Sequence, residues 1–255
     1  MLRILRWQLQ VVHGMTVLIA RNYKSIVVLT GAGISAASGL RTYRGPDGLW
    51  NDPETSRLST AADFADDPLS YWKFWGNLRE AATAALPNEA HLALAHWEKH
   101  LSKDQKFTLI TQNVDELHQR AGSGSVVELH GSVYRTRCSN EKCTLEPYRD
   151  TDAHLDIVPI CTLCGQALRP DIVMFGELLP PHAEWSSKRA LRDCDLFIAV
   201  GTSGTVSPAS HFVEWAKYAG ARTMLINLEK MIEPNRSFDM EIDGRAEEIL
   251  PSLLK

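Results

Sequence analysis

The 255-residue sequence has no apolar run long enough to cross a bilayer, so we expect no contact with a membrane. Residues 1–14 are basic and apolar, but they lack the apolar core and small-residue cleavage site of a secretory signal. There is no internal repeat and no low-complexity segment, which excludes repeat architectures. These absences indicate a globular, cytoplasmic protein. We interpret residues 1–14 as an N-terminal arm or extension, and the MTVLIARN segment after them as a helix.

The sequence also lacks an excess of positive charge. It has 27 lysines and arginines against 31 aspartates and glutamates, which gives a net charge of −4. Proteins dedicated to nucleic acid usually carry a basic surface, so this balance argues against that class. The length suits one large domain, or one domain that carries a smaller insertion. The sequence does not indicate an oligomeric state.

Cysteine is scarce, and four of the five cysteines occur in two pairs. Cys138 and Cys143 form a C-x4-C pair, and Cys161 and Cys164 form a C-x2-C pair. Four thiolates at such spacing are typical of a tetrahedral structural zinc site with no open position for water. Vestigial or redox-active cysteines are the alternative, and a disulfide framework is disfavoured without a secretory signal. Cys194 enters a buried apolar run, so we interpret it as a core residue.

A glycine-rich turn follows the apolar run SIVVLT. The sequence GAGIS places Gly31 and Gly33 where a strand would enter a dinucleotide-binding turn. Glycine permits the tight turn and leaves main-chain N–H groups open to a pyrophosphate, and a helix expected over 34–40 would attract phosphate. The spacing departs from G-x-G-x-x-G, so a tight turn without a ligand is the alternative.

Short apolar runs alternate with helix-like segments along most of the chain. The runs SIVVLT, KFTLIT, SVVEL, DLFIAVGT and TMLINL are separated by helical patterns such as NEAHLALAHWEKHL. This alternation predicts an α/β fold, a Rossmann-like parallel sheet with helices on both faces. Ligands bind such sheets at the carboxyl ends of the strands, where the polar motifs of this chain also lie.

Two stretches interrupt the alternation. Residues 51–85 read as short helices joined by proline and aspartate turns, and residues 133–169 contain the cysteine pairs. We predict that both belong to a small domain, a helical insertion plus a zinc ribbon. The Rossmann-like domain would then comprise residues 15–50, 86–132 and 170–255.

Polar side chains follow the predicted strands. Gln112, Asn113 and Asp115 come after KFTLIT, and capping a helix would need only one of them. His130 follows SVVEL, where a neutral imidazole could act as a general base. Further polar strand ends, with capping as the alternative for Glu229, are Gly201, Thr202, Ser203, Asn227 and Glu229. The histidines without such a setting are interpreted as surface or core residues: His91, His96, His100, His118, His154, His182 and His211.

Taken together, the motifs resemble those of sirtuins, NAD-dependent protein lysine deacylases, and most closely the compact bacterial type. GAGIS-x-x-SG, T-Y-R, TQN-x-D-x-L, HG, the cysteine pairs, RPDIVMFGE, GTS-x-x-V-x-P and IN-x-E occur in the family's order from about Tyr23 onward. The resemblance implies NAD as co-substrate, one structural zinc ion, and an acyl-lysine protein or peptide as substrate. The implied products are nicotinamide, O-acyl-ADP-ribose and free lysine.

The resemblance also implies residue roles. The acyl oxygen would attack the nicotinamide ribose, and His130 would then deprotonate a ribose hydroxyl. Asn113 would be the second catalytic residue, in the nicotinamide pocket, and Asp115 would hold the carboxamide. Such chemistry needs positioning and a polar pocket rather than an activated serine or cysteine. The residues implied for NAD are Gly31, Ala32, Gly33, Tyr43, Arg44, Gln112, Asn113, Asp115, Gly201, Thr202, Ser203, Asn227 and Glu229.

On the substrate side, the resemblance implies that RPDIVMFGE pairs with the substrate main chain as an added strand. Val173, Phe175 and Gly176 would flank the acyl-lysine channel. Tyr43 stands where the family usually has phenylalanine. The aromatic ring is kept, so we expect a mild effect.

The acyl pocket departs from that of sirtuins that remove succinyl groups. Those proteins carry Tyr-x-x-Arg, whereas this chain has Trp75 and Leu78 at the matching positions. Arg79 comes one residue later, and one residue along a helix turns a side chain by about 100°. We therefore expect weak desuccinylation and a pocket suited to acetyl or longer apolar acyl groups.

Two other functions are open at this stage. An NAD glycohydrolase or ADP-ribosyltransferase would use the same pocket with another acceptor. A non-catalytic NAD-sensing or zinc-ribbon module would need neither His130 nor Asn113. Both residues are present, together with the substrate strand, so deacylation is the favoured function.

Overall fold

The computed structural model describes residues 9–12, 15–18, 22–45, 48–231 and 235–254. The strands in these ranges are β1 (Leu9–Val12), β2 (Met15–Leu18), β3 (Ser25–Thr30), β4 (Lys106–Thr111), β5 (Val126–Glu128), β6 (Gly131–Cys138), β7 (Tyr148–Arg149), β8 (Leu168–Ile172), β9 (Leu196–Val200), β10 (Arg222–Asn227) and β11 (Met240–Asp243). The main sheet has six parallel strands in the order β11-β10-β9-β3-β4-β5.

Helices cover both faces of this sheet. The α-helices are α1 (Pro53–Arg57), α2 (Ala61–Asp66), α3 (Pro68–Ala84), α4 (Glu89–His100), α5 (Leu117–Ala121), α6 (Pro181–Arg192), α7 (Phe212–Tyr218) and α8 (Ala246–Leu253). Short 3-10 helices occupy Ala32–Ser38, Leu49–Asn51 and Ala209–His211. Within the described ranges, none of the helices combines the length and apolarity that crossing a bilayer requires.

Successive residues of the central strands enter opposite apolar layers. In β3, Ile26 and Val28 pack with residues of α4 and α8, whereas Val27 and Leu29 pack with residues of α6 and α7. A parallel strand covered on both faces needs apolar side chains on both, which explains the unbroken run SIVVLT. The predicted α/β fold class is confirmed.

A smaller antiparallel sheet, in the order β7-β6-β8, carries the cysteines. We call β6, β7, β8 and the loops between them the cysteine ribbon. Helix α3 packs against it, with Tyr71 and Trp75 buried beside Val133 and Ile172. The interruptions seen in the sequence thus correspond to a helical region and a separate sheet, and the division into two domains stays a prediction.

One local expectation is wrong, and a second holds only in part. Residues 15–18, which were predicted to begin a helix, form β2 and pair antiparallel with β1. Residues 1–8 and 13–14 of the predicted arm lie outside the described residues. After Gly31 the chain forms only a 3-10 helix, which ends at Gly39 in the left-handed conformation with φ of 87°. A four-residue apolar run such as MTVL fits a strand and a helix equally well, so its periodicity did not decide between them.

Candidate active site

The turns that follow β3 and β9 touch each other. The Gly31 N–H donates to Val200 O at 3.0 Å, and the Gly33 N–H donates to Gly201 O at 2.9 Å. A Cβ atom on Gly33 would lie 2.7 Å from Gly201 Cα. These two amides are therefore hydrogen-bonded within the fold, whereas the sequence had suggested that they stay open to a pyrophosphate. The glycines are required because two main chains approach closely.

This contact marks the switch point of the sheet. From β3 the chain continues to β4 on one side, and from β9 it continues to β10 on the other. In open α/β sheets, the loops diverge at such a point and leave a crevice beyond the carboxyl ends of the strands.

A cavity of about 1260 Å³ occupies this crevice. It extends from the glycine turns to the segment after β8 and collects most of the residues predicted for NAD, catalysis and substrate: Gly31, Ala32, Gly33, Tyr43, Arg44, Trp75, Gln112, Asn113, His130, Val173, Phe175, Gly176, Gly201, Thr202, Ser203, Asn227 and Glu229. Among the described residues, the predicted Asp115 and Leu78 do not line it.

His130 has the geometry of a general base. Its Nδ1 lies 3.0 Å from Gln112 O, and a carbonyl only accepts, so Nδ1 carries the proton and Nε2 is left as an acceptor. Burial lowers the pKa of His130 below its ordinary value, and the hydrogen bond to Gln112 opposes that effect. The imidazole is therefore neutral near pH 7.

Asn113 is held by a buried hydrogen-bond chain. Its Nδ2 donates to Ser35 Oγ at 3.1 Å, and Ser35 Oγ donates to Asp115 Oδ2 at 2.7 Å. Asp115 Oδ1 also accepts the Leu117 N–H at 3.0 Å. Asp115 thus acts on the cavity through Ser35, a residue of GAGIS for which the sequence indicated no role of its own. Burial raises the pKa of Asp115, and these two hydrogen bonds oppose the shift.

Two histidines that were set aside as surface or core residues lie behind this chain. His91 Nε2 is 3.4 Å from Ser35 Oγ, and His118 Nε2 is 2.9 Å from Thr30 Oγ1. Their rings are 4.7 Å apart, and both are almost fully buried. Burial lowers the pKa of His91 to about 4 and that of His118 well below its ordinary value. Both are core residues, as expected, but they also support the site.

Hydrogen bonds connect Gln112 to the residues implied for the adenosine half of NAD. Gln112 Nε2 donates to Thr202 Oγ1 at 3.0 Å, and Asn227 Nδ2 donates to Thr202 O at 2.9 Å. Ser203 Oγ lies 2.9 Å from Thr205 Oγ1. Three strand ends are thereby locked together at one edge of the cavity.

Aromatic rings form the opposite wall. The Trp50 ring centroid lies 5.2 Å from that of Tyr43 and 5.1 Å from that of Phe175. Trp75 lines the same cavity, and its Nε1 donates to Leu58 O at 3.1 Å, which fixes the indole. Trp50 was missed from the sequence because nothing distinguishes it from a core tryptophan there.

Arg79 points away from this wall. The side chain is buried, with Nε donating to Val133 O at 2.6 Å and NH1 lying 3.3 Å from Asp150 Oδ2. NH1 also donates to Asp152 O. Arg79 therefore joins α3 to the cysteine ribbon and is unavailable to a carboxylate in the acyl pocket.

The four paired cysteines converge. Their Sγ atoms all lie within 4.8 Å of one another, with Cys138–Cys164 at 3.4 Å and Cys143–Cys161 at 3.7 Å. Tetrahedral zinc with Zn–S bonds of about 2.3 Å places its sulfurs about 3.8 Å apart. No disulfide links these cysteines, and the cluster is consistent with structural zinc.

Comparisons with known proteins agree with this geometry. Residues 31–208 match the Sir2 family. The chain is 44% identical over 230 residues to NAD-dependent protein deacylase 2 of Pyrobaculum aerophilum, covering 90% of this chain and 89% of that one. A solved complex of a Sir2 homologue with NAD is 39% identical, with a TM-score of 0.82 over 92% of this chain and 89% of the other. A Sir2 mutant solved with a deacetylated p53 peptide and 3′-O-acetyl ADP-ribose is 31% identical, with a TM-score of 0.78 over 89% of this chain and 91% of the other.

Proposed function

Because this chain belongs to the Sir2 family and is an NAD-dependent protein deacylase, we propose that it removes acetyl or longer apolar acyl groups from protein lysines and releases nicotinamide, O-acyl-ADP-ribose and free lysine. One observation supports this most strongly. A neutral His130 with a free Nε2, the Asn113 side chain and the segment after β8 line a single cavity with the glycine turns.

The proposed NAD contacts follow the cavity wall. We propose that the turns at 31–33 and 201–203, which line the cavity, contact the pyrophosphate and the adenosine half together with Asn227 and Glu229. Gln112 and Asn113 would contact the nicotinamide ribose and the nicotinamide. Asp115 would hold the carboxamide side indirectly, by fixing Ser35 and Asn113.

When bound, NAD supplies the ribose carbon that accepts the acyl oxygen and the nicotinamide that leaves. His130 accepts a proton from a ribose hydroxyl at Nε2, because Nδ1 is committed to Gln112 O. The rings of Tyr43, Trp50 and Phe175 form an apolar wall of the cavity beside the proposed reacting centre. Positioning and charge stabilisation carry this reaction, so no activated nucleophile is required.

The proposed zinc site is structural. Four thiolates complete a tetrahedral set, which leaves no position for a reacting water. The proposed small domain, residues 51–85 and 133–169, would close the substrate side of the cavity over the Rossmann-like domain, residues 15–50, 86–132 and 170–255. We further propose that the protein acts in the cytoplasm on acyl-lysine proteins.

The proposed acyl preference is apolar. Trp75, Val114 and Met174 line the cavity next to Phe175, and Arg79 is buried in contact with the cysteine ribbon. Arg79 is therefore unavailable to a distal carboxylate, and the arginine that does lie at the aromatic wall, Arg44, has its guanidinium 5.0 Å from the Trp50 ring centroid. Comparing acetyl-, succinyl- and myristoyl-lysine peptides tests this, and a strong preference for succinyl would contradict it.

The central experiment incubates the protein with NAD and an acetyl-lysine peptide and identifies the products by mass spectrometry. We expect O-acetyl-ADP-ribose from the wild type and from His96→Ala, an exposed-histidine control, and none from His130→Ala. The acid limb of kcat/KM should have its midpoint below the ordinary histidine value of about 6.5, since the neutral base is the active form. Free ADP-ribose from NAD with every acyl peptide left intact would indicate a glycohydrolase instead.

A further inference from the structure

The segment 172–177, which we call the substrate loop, is closed by one carboxylate. Glu177 Oε2 accepts the Met174 N–H at 3.0 Å, and the Glu177 N–H donates to Met174 O at 3.0 Å. The loop therefore turns back on itself around the Glu177 side chain. All six residues of the loop, Glu177 included, line the cavity.

Arg169, which lies in β8, forms an ion pair with the Glu177 carboxylate. NH1 donates to Glu177 Oε1 at 2.6 Å and NH2 donates to Glu177 Oε2 at 3.0 Å, which is the bidentate geometry of a strong charge-assisted pair. The same NH2 donates to Ile172 O at 2.6 Å. The buried guanidinium thus holds both the first and the last residue of the substrate loop.

The remaining contacts connect the loop to the reacting centre. The Val173 N–H donates to His130 O at 3.0 Å, and the Phe175 N–H donates to Ser59 O at 3.0 Å. A shift of the substrate loop would therefore displace the main chain of His130 and the ring of Phe175. By contrast, on the NAD side the N–H groups of Gly31, Gly33 and Gly201 donate to Val200 O, Gly201 O and Ile226 O, and none of these acceptors belongs to the substrate loop.

We propose that Arg169 and Glu177 are positioning residues for the acyl-lysine substrate, because together they hold the substrate loop in the shape that meets the substrate main chain. This inference rests on the proposed function. Neither side chain needs to touch the reacting atoms. Burial opposes ionisation of Glu177, but the hydrogen bonds and charge of Arg169 lower its pKa below the ordinary value, so the pair is ionic near pH 7.

Glu177→Gln is the first test, since the amide keeps the size and loses the charge. We expect KM for an acetyl-lysine peptide to rise about tenfold while KM for NAD changes less than about twofold, because a hydrogen bond to a charged partner is lost on the substrate side only. Arg169→Lys keeps the charge but not the fork, and should give a smaller change of the same kind. Asp193→Asn, which alters the exposed Arg192–Asp193 pair, should change neither constant.

Hydrogen exchange supplies a readout that does not depend on turnover. Peptides covering 172–178 should exchange faster in Glu177→Gln than in the wild type, whereas those covering 31–39 and 201–206 should not. Equal rises in both KM values, or unchanged exchange at 172–178, would overturn the proposal. If the wild type does not turn over any acyl peptide, that result counts against the proposed function. The comparison of hydrogen exchange between Glu177→Gln and the wild type would still decide the role of Arg169 and Glu177.

Discussion

The parallel sheet and the cysteine ribbon are stabilised by different means. The sheet buries 17 residues in one apolar layer and 14 in the other. The cluster around the cysteines has four buried residues: Trp72, Cys138, Cys161 and Leu168. Apolar burial can stabilise the first region by itself, whereas the second depends on metal binding for its folding energy. The NAD side of the cavity therefore rests on packing. On the substrate side, β6 and β8 also pack against α3 near the cavity, but the end of the ribbon that holds the cysteines depends on the metal.

Removal of the metal should separate the two regions most clearly. Structural zinc contributes on the order of 10 kcal/mol to folding, so Cys161→Ser or a strong chelator should unfold the cysteine ribbon and abolish deacylation. The sheet should stay folded and still bind NAD. Hydrogen exchange would show loss of protection in β6 and β8 with retained protection in β3 and β9.

The matched control is Cys194→Ala. Cys194 is buried in the sheet region, outside the cluster, so this variant should keep one zinc per chain by elemental analysis. Global unfolding on chelation would show that the sheet cannot stand alone, and the comparison would fail.

Removal of Arg79 should loosen the contact between α3 and the cysteine ribbon. Arg79→Met leaves Val133 O and the mostly buried Asp150 carboxylate without this donor. Breaking a buried ion pair from one side costs about 3–5 kcal/mol of unfolding free energy. Urea denaturation measures the change, and Arg192→Met in an exposed pair should leave the curve unmoved. A loss no greater than that of the control would contradict the role given to Arg79.

The buried histidines should make the sheet side sensitive to acid. The pKa of His91 is about 4 in the folded chain, against an ordinary value of about 6.5 in the unfolded chain. The unfolded chain binds the extra proton between these values, so unfolding free energy falls as pH falls through this window, by up to about 3 kcal/mol. His91→Gln should flatten this dependence, and His96→Gln at an exposed site should not. An identical slope in both variants would count against the assignment.

The smallest expected effect is at the glycine contact. Gly33→Ala places a Cβ 2.7 Å from Gly201 Cα, and overpacking of this kind costs about 1–3 kcal/mol. NAD affinity should fall as well, because the turns form the cavity wall. Gly124→Ala is the control, since its Cβ would meet nothing closer than 3.5 Å. Calorimetric titration of both variants with NAD measures the two affinities. If Gly33→Ala binds NAD as tightly as Gly124→Ala does, the expectation is refuted.

Much of this architecture was predictable because the physical cause is local in sequence. Unbroken apolar runs mark strands covered on both faces, and each polar motif follows such a run directly. The four-cysteine cluster follows from ligand spacing. The strand β11 has only weak alternation in MEID, so no local pattern revealed it.

The sequence does not reveal which side chains come into contact when their residues are far apart in the chain. Ser35 meets Asp115 and His91 only after the sheet has formed, so nothing near His91 in the chain indicates its place behind the site. Helical spacing predicted that Arg79 lies outside the acyl pocket, and Arg79 does not line the cavity, but its partners Val133 and Asp150 lie more than 50 residues away in the chain. The glycine turn was located correctly, although the Gly31 and Gly33 N–H groups donate to Val200 O and Gly201 O instead of staying open.

The contact between the glycine turns also constrains how this sequence can change. A Cβ on Gly31 would lie 2.7 Å from Gly201 O, and one on Gly201 would lie 2.5 Å from Ile34 N. Each clash involves main-chain atoms, so no rotation of a nearby side chain relieves it. Gly31, Gly33 and Gly201 therefore depend on one another, although 170 residues of chain separate Gly31 from Gly201. A substitution at any one of them can be accommodated only if a strand end moves, and a strand end that moves reshapes the cavity.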